Sequence, residues 1–200
     1  MTRRPCSGLT LVEVLVTSVV LMALFGTLAV TQQINRSWAL SNDAKVQVQE
    51  EARRALIALT EELRQAGNVT PNGAGPWVQR LDFQVARRYD AGADAIVWGS
   101  DAADGQWIHV ALDAGNAQNV RLMRCVTANQ ADAMPVGFAG CRTLANHVDG
   151  SLANTAFLYD AVQRTLTTRL RTLLASAQLP GGSMASSPGP ILSRIKLRNP

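Results

Sequence analysis

From Leu9 to Val30 the chain is an almost unbroken run of Leu, Val, Ala, Met and Phe, interrupted by Thr10, Thr17, Ser18, Gly26 and Thr27 and by one ionisable side chain, Glu13. As a helix these residues span roughly 30 Å, the thickness of a bilayer's hydrocarbon core. Arg3 and Arg4 stand just upstream; the positive-inside rule keeps that end in the cytoplasm and sends everything after Val30 across the membrane. Between Thr31 and Ala66 there is no Pro or Gly, and Val48, Ala52, Ala55, Leu56, Leu59, Leu63 and Ala66 recur every three or four residues. That spacing draws one apolar stripe along a continuing helix. Glu50, Glu51, Arg53, Arg54, Glu61, Glu62 and Arg64 fill the other faces, with Glu50 and Arg54 in the favourable order for a pair four apart. Gly67 is the expected left-handed cap, and Pro71 prevents the helix from resuming.

From Asn68 the period changes. Turn-rich pieces alternate with short runs that read as strands: Val78 to Val85, Ala95 to Gly99, Gln106 to Leu112, Val120 to Val126, Ala156 to Tyr159, Thr165 to Leu173 and Ile191 to Leu197. The segment from Leu144 to Asp160 is expected to hold a short helix or turn before its strand. Leu179 to Pro190, LPGGSMASSPGP, reads as a flexible loop, either between the last two strands or on the surface. Short connections favour antiparallel pairing, and a sheet with one apolar face needs the cover that the helix stripe supplies. The predicted class is α+β, a long N-terminal helix packed on an antiparallel sheet.

Length allows one modest domain beside the long helix. The formal charge of +4 is too weak, and its cations too scattered, for nucleic-acid binding. Arg87 with Arg88, or Arg164, Arg169 and Arg171, are the only candidate patches, and the last three do not share a strand face. Trp38, Trp77, Trp98 and Trp107 are therefore assigned to core or interface packing rather than to base or sugar stacking. No phosphate-binding glycine loop, paired-histidine metal motif or Gly-x-Ser-x-Gly elbow occurs. His109 and His147 read as sheet-face or surface residues, no nucleophile and base can be paired, and the chain reads as non-enzymatic. Asp90, Asp94, Asp101 and Asp104 raise calcium as an option, but Asp followed by Gly is ordinary turn chemistry, and the alternating ligands and distant Glu of a calcium loop are missing. A secretory signal peptide is weighed against by the length of the apolar run and the lack of a small-x-small cleavage site. A twin-arginine signal fits poorly, with Pro5 and Cys6 after the arginine pair and a carboxylate inside the apolar run.

The stretch GLTLVEVLV, Gly8 to Val16, resembles the type IV prepilin signature: a short basic leader ending in Gly, an apolar first residue, Glu fifth, then a long apolar helix. Gly8, Thr10, Leu11 and Glu13 match closely; the departure is Leu9, where Phe is commonest. The resemblance implies a leader over 1–8, a transmembrane and filament-core half-helix over 9–30, an amphipathic half over 31–67 and a β-rich globular domain over 68–200. It further implies cleavage between Gly8 and Leu9 by a prepilin peptidase, N-methylation of Leu9, and a pilin-like fold. Glu13, as the fifth residue, would lie one turn from the new amine and could neutralise that of a neighbouring subunit, which assigns it to subunit assembly. Glu50 to Gly67, EEARRALIALTEELRQAG, is similar to the helix end of PilW-type minor pilins and of J-type minor pseudopilins. The implied role is a minor subunit that primes assembly or forms the tip of a type IV pilus, held in the bacterial inner membrane with its body in the periplasm, its partners other pilins. The alternatives are a minor pseudopilin of type II secretion and, from another class, a membrane-anchored periplasmic binding module or enzyme. Removing the leader would take Cys6, Arg3 and Arg4 with it, leaving 17 basic against 15 acidic residues, a balance of +2. Cys125 and Cys141 would then remain as an even pair in an oxidising space, expected to form a disulfide rather than two buried thiols.

Overall fold

The computed structural model describes residues 10–117, 119–175, 184–186 and 189–197. Two compact units divide the chain, 1–42 and 43–200, and one helix, α1 (Leu11–Arg64), carries the sequence from the first into the second.

In the first unit every large apolar side chain from Leu11 to Val30 is at least half exposed, and the helix is long and apolar enough to cross a membrane. Its hydroxyls are turned back on their own backbone: Thr17 donates to the Glu13 carbonyl at 2.8 Å, Ser18 to that of Val14 at 2.7 Å, Thr27 to that of Leu24 at 2.8 Å and Thr31 to that of Thr27 at 2.8 Å. Polar groups satisfied within the helix need no water, which is what a hydrocarbon solvent demands.

In the second unit the helix buries Ala44, Val48, Ala52, Ala55, Leu56, Leu59 and Leu63. From Val48 to Leu63 this is the stripe that the spacing predicts; Ala44 extends it, and Ala66, its expected last member, is buried in the strand that follows. The stripe packs on two antiparallel sheets, not one. The larger holds β1 (Ala66–Asn72), β3 (Arg80–Asp90), β5 (Trp107–Asp113), β6 (Arg121–Thr127) and β7 (Arg142–Ala145) in that spatial order, with β4 (Ala95–Gly99) paired to the outer half of β3. The smaller runs β12 (Ile191–Lys196), β9 (Thr165–Leu170), β8 (Ala156–Asp160), β2 (Trp77–Val78). A separate ribbon joins β10 (Leu173–Ala175) to β11 (Met184–Ser186). Leu81, Phe83, Ile108, Val110 and Leu122 from the larger sheet and Phe157, Leu166, Leu170 and Ile195 from the smaller meet Leu59 and Leu63 in one core.

Several sequence expectations are corrected. The helix stops at Arg64, short of Gly67, because the Ala86 amide donates to the Gln65 carbonyl at 3.0 Å and Ala66 pairs with Val85; the backbone there has already joined the sheet. Gly67 is not in the left-handed region. Its bareness serves another purpose, since a Cβ added there would collide with the Trp98 ring. Pro71 sits inside β1, tolerated because among the described residues that strand pairs on one side only. The single run Val78 to Val85 splits between sheets, Trp77 and Val78 pairing with Leu158 and Phe157 while Leu81 and Phe83 pair with Val110 and Ile108. The run from Thr165 ends at Leu170, and the strand Arg142–Ala145 falls in a stretch whose pattern predicts none. Part of Leu179 to Pro190 is the strand β11, and most of the rest lies outside the described residues.

Candidate functional site

The sequence places its assembly and processing residues at the start of α1. Gly8 and Leu9, with Cys6, lie outside the described residues. Glu13 is described and exposed. Thr10 stands at the N-cap: the Glu13 amide donates to the Thr10 carbonyl at 3.0 Å and to its hydroxyl at 3.3 Å. Thr-x-x-Glu is the spacing of a capping box, and a carboxylate in the first turn suits the helix dipole. That explains a glutamate at a helix start in water. It does not explain one at the start of an apolar surface of this extent, where the carboxylate has no hydrogen-bonding or ion-pair partner among the described residues and costs about 2.5–3.5 kcal/mol if carried to a bilayer centre alone.

A second constellation lies on the outer face of the larger sheet. Because β3, β5 and β6 pair in register, Asp82 stands opposite His109 and His109 opposite Cys125, so alternation turns these side chains away from the helix. Asp82 and His109 are fully buried. Nδ1 of His109 lies 2.6 Å from Oδ1 of Asp82, and its Nε2 lies 2.6 Å from the Thr127 hydroxyl. Arg80 Nε donates to Asp82 Oδ1 at 2.8 Å and Asn72 Nδ2 to its Oδ2 at 3.1 Å. Burial raises the Asp82 carboxyl, but these hydrogen bonds from His109, Arg80 and Asn72 outweigh it and hold the group below its ordinary value.

Carboxylate, imidazole and hydroxyl in a row is an arrangement that sequence reasoning missed, and the only signal for it was the shared alternation of three strands. The Thr127 hydroxyl donates to the Asn129 carbonyl at 2.8 Å, so its one hydrogen points into the following loop and not at the imidazole. Arg80 donates to the carbonyls of Gln130 at 3.3 Å and Asp132 at 3.0 Å. The loop so fastened is closed by the disulfide between Cys125 and Cys141, whose Cα atoms are 4.4 Å apart. The row thus stitches a disulfide-closed loop to the sheet.

On the inner face Arg124 is nearly buried, its Nε donating to Glu62 of α1 at 2.8 Å and its Nη2 to Asp101 at 2.7 Å. Burial lowers the tendency of this guanidinium to hold its proton, and the two carboxylates more than restore it. Asn146 donates from its backbone and side chain to Glu51 at 2.7 and 2.9 Å, and Thr172 donates to the Val48 carbonyl at 2.8 Å. These polar ties lock the helix stripe to the body.

The four aspartates weighed for calcium do not converge. Asp90 caps the turn amides of Gly92 and Ala93, Asp94 bonds the Tyr89 hydroxyl, Asp101 takes Arg124, and Asp104 is held by Arg87 and Arg88. Among the described residues no group of three or more His, Cys, Asp and Glu is placed to hold a metal. The tryptophans are dispersed too. Trp38 is exposed on α1, Trp98 covers Gly67, and Trp77 stacks under the Arg169 guanidinium at 3.8 Å. His147 is partly buried, its Nδ1 4.0 Å from Glu51. Comparison of the chain with family models, with curated proteins and with solved structures finds no match in any of the three.

Proposed function

We propose that the chain is a minor pilin-like subunit of a type IV pilus, inserted in the bacterial inner membrane as a precursor, cut after Gly8, methylated at Leu9 and incorporated near the filament tip with its body in the periplasm. The observation that carries the reading is Glu13, the only ionisable side chain on a wholly uncovered apolar helix surface. A carboxylate there is expensive for a simple anchor, and becomes favourable when a neighbouring subunit brings an amine to it. The α+β body supports the reading: a helix whose first half is uncovered and whose second half is tied into antiparallel sheets has the layout of a pilin. The disulfide suits an oxidising compartment.

The deciding experiment deletes the chain and measures pilin in the sheared surface fraction, with secreted proteins assayed alongside. Loss of surface pili with normal secretion is the expected result. Normal pili with exoproteins trapped in the periplasm would instead make the chain a pseudopilin. In the same assay Glu13→Ala should insert yet fail to assemble; if it restores full function, the chain is an anchored periplasmic module or enzyme. Mass analysis of the purified chain should show a mature N-terminus at methylated Leu9.

A further inference from the structure

The strand β12 ends the smaller sheet, and among the described residues no strand pairs with its outer edge. Beside it, between β12 and the α1 face flanking the buried stripe, runs a trough of three adjoining hollows of about 590, 290 and 620 Å³, continuous because Arg53 and Ile191 line the first two and Thr60, Arg64 and Ser193 the last two. The first two hollows carry the apolar surface, Val46 of the helix in the first and Ile57 of the helix with Leu192 of the strand in the second, all about half exposed or more, beside Arg53, which lines both. The far end is basic: Arg64, Arg194 and Lys196 line the last hollow. Arg194 donates to the neutral amide of Gln163 at 2.7 Å, and among the described residues none of the three cations has an ion-pair partner. Glu61 sits in the middle hollow and Glu50 in the first, the latter 4.0 Å from Arg54.

The complementary shape is on the same chain. The hairpin of β3 and β4 carries Asp90 and Asp94 at its turn, neither of them in an ion pair among the described residues. Its arginines, Arg87 and Arg88, are both occupied by Asp104. Tyr89 and Ile96 stand exposed beside the two carboxylates. An acidic tip with an apolar flank matches a trough with a basic end and apolar surface in its other two hollows.

We propose that the acidic tip of the β3–β4 hairpin of one copy seats in the trough between α1 and β12 of a second copy. The two patches are different surfaces, so the contact is heterologous, joining one copy to the next head to tail, and is not a twofold pair. It goes beyond the anchoring and processing read from Glu13, since both patches lie within 43–200. Interfaces of this kind, built on exposed charges, associate quickly and weaken steeply with salt.

The test uses the full chain in detergent micelles, with association followed by sedimentation from low to high protein concentration in low and in high salt. Asp90→Asn with Asp94→Asn keeps the turn hydrogen bonds that Asn also makes and tolerates the positive φ of 49° at Asp94. This variant should associate about tenfold more weakly at low salt, the sum of two or three exposed pairs. Arg194→Glu with Lys196→Glu should do the same. Adding Ala91→Lys and Ala93→Lys to the first pair makes a basic tip, which should restore association only with a trough that carries R194E and K196E. Unchanged melting of each variant shows that the fold is kept. A wild-type chain monomeric at every concentration, or failure of the swapped pair to recover, overturns the contact. Association abolished by Glu13→Ala but indifferent to these charges would also overturn it, while leaving the filament reading standing. Monomeric wild type that captures an added acidic strand peptide in the trough would assign the surface to another protein.

Discussion

Asp82→Ala tests the buried network on the outer face of the larger sheet. The Asp82 side chain is fully buried and accepts from Asn72, Arg80 and His109 within 3.1 Å. Asp82→Ala removes the acceptor and leaves a buried imidazole and a mostly buried guanidinium facing each other. Removing one member of such a buried pair costs about 3–5 kcal/mol, which for a chain of this size lowers the Tm by roughly 6–20 °C. Asp82→Asn keeps the volume and one acceptor, so its cost falls to about 1.5–3 kcal/mol, the worth of a hydrogen bond to a charged group. The assay is thermal unfolding of the detergent-solubilised chain by circular dichroism, repeated from pH 7 to pH 3. The sign follows from the depressed native carboxyl. Its stabilisation is fully present above the unfolded value of about 3.9 and disappears as pH falls through the lower native value. The difference between wild type and Asp82→Asn should therefore persist at pH 5 and shrink below about pH 4. Asp101, Asp113 and Asp132 are also depressed, by Arg124 foremost in the first and by backbone amides in the other two; they titrate alike in both proteins and cancel. A Tm change below about 2 °C for Asp82→Ala, or a wild-type to Asn gap unaltered between pH 5 and pH 3, would refute the argument that this carboxylate holds the network.

Cys141→Ser should cost roughly 3 kcal/mol by the loop-closure estimate for a bridge spanning 16 residues, and reductant should lower the Tm of the wild type but not of the variant. Gly67→Val should cost about 1–3 kcal/mol by overpacking against Trp98, with partial recovery when Trp98→Ala is added; an unaltered melt and tryptophan emission would show the ring free to leave. Leu59→Ala, in the centre of the helix and sheet core, should lose about 2–5 kcal/mol, measurable as a shift in the urea midpoint at constant slope.

The helix and its two characters were readable because periodicity is a local property: an uninterrupted apolar run and a three-and-four spacing need no knowledge of what lies across the fold. The stripe residues Val48, Ala52, Ala55, Leu56, Leu59 and Leu63 are buried as their spacing requires, and Ala95–Gly99 is a strand with its predicted bounds. Glu13, too, stood out from one dimension, by being the wrong residue in an apolar run. What depended on distant pairing was not legible. The chain after Arg64 bonds to Val85 and Ala86 instead of turning at Gly67; the residues Trp77 to Val85 divide between two sheets because each half finds a different partner. Asp82, His109 and Thr127 become a row, its first two members buried, only because three strands align in register, and a polar residue on a strand face looks the same in sequence whether water or a disulfide-closed loop covers it. Hydrophobic pattern determines which face of an element turns inward; which strands then meet, and what lies over their outer faces, follows from contacts between residues far apart in the chain.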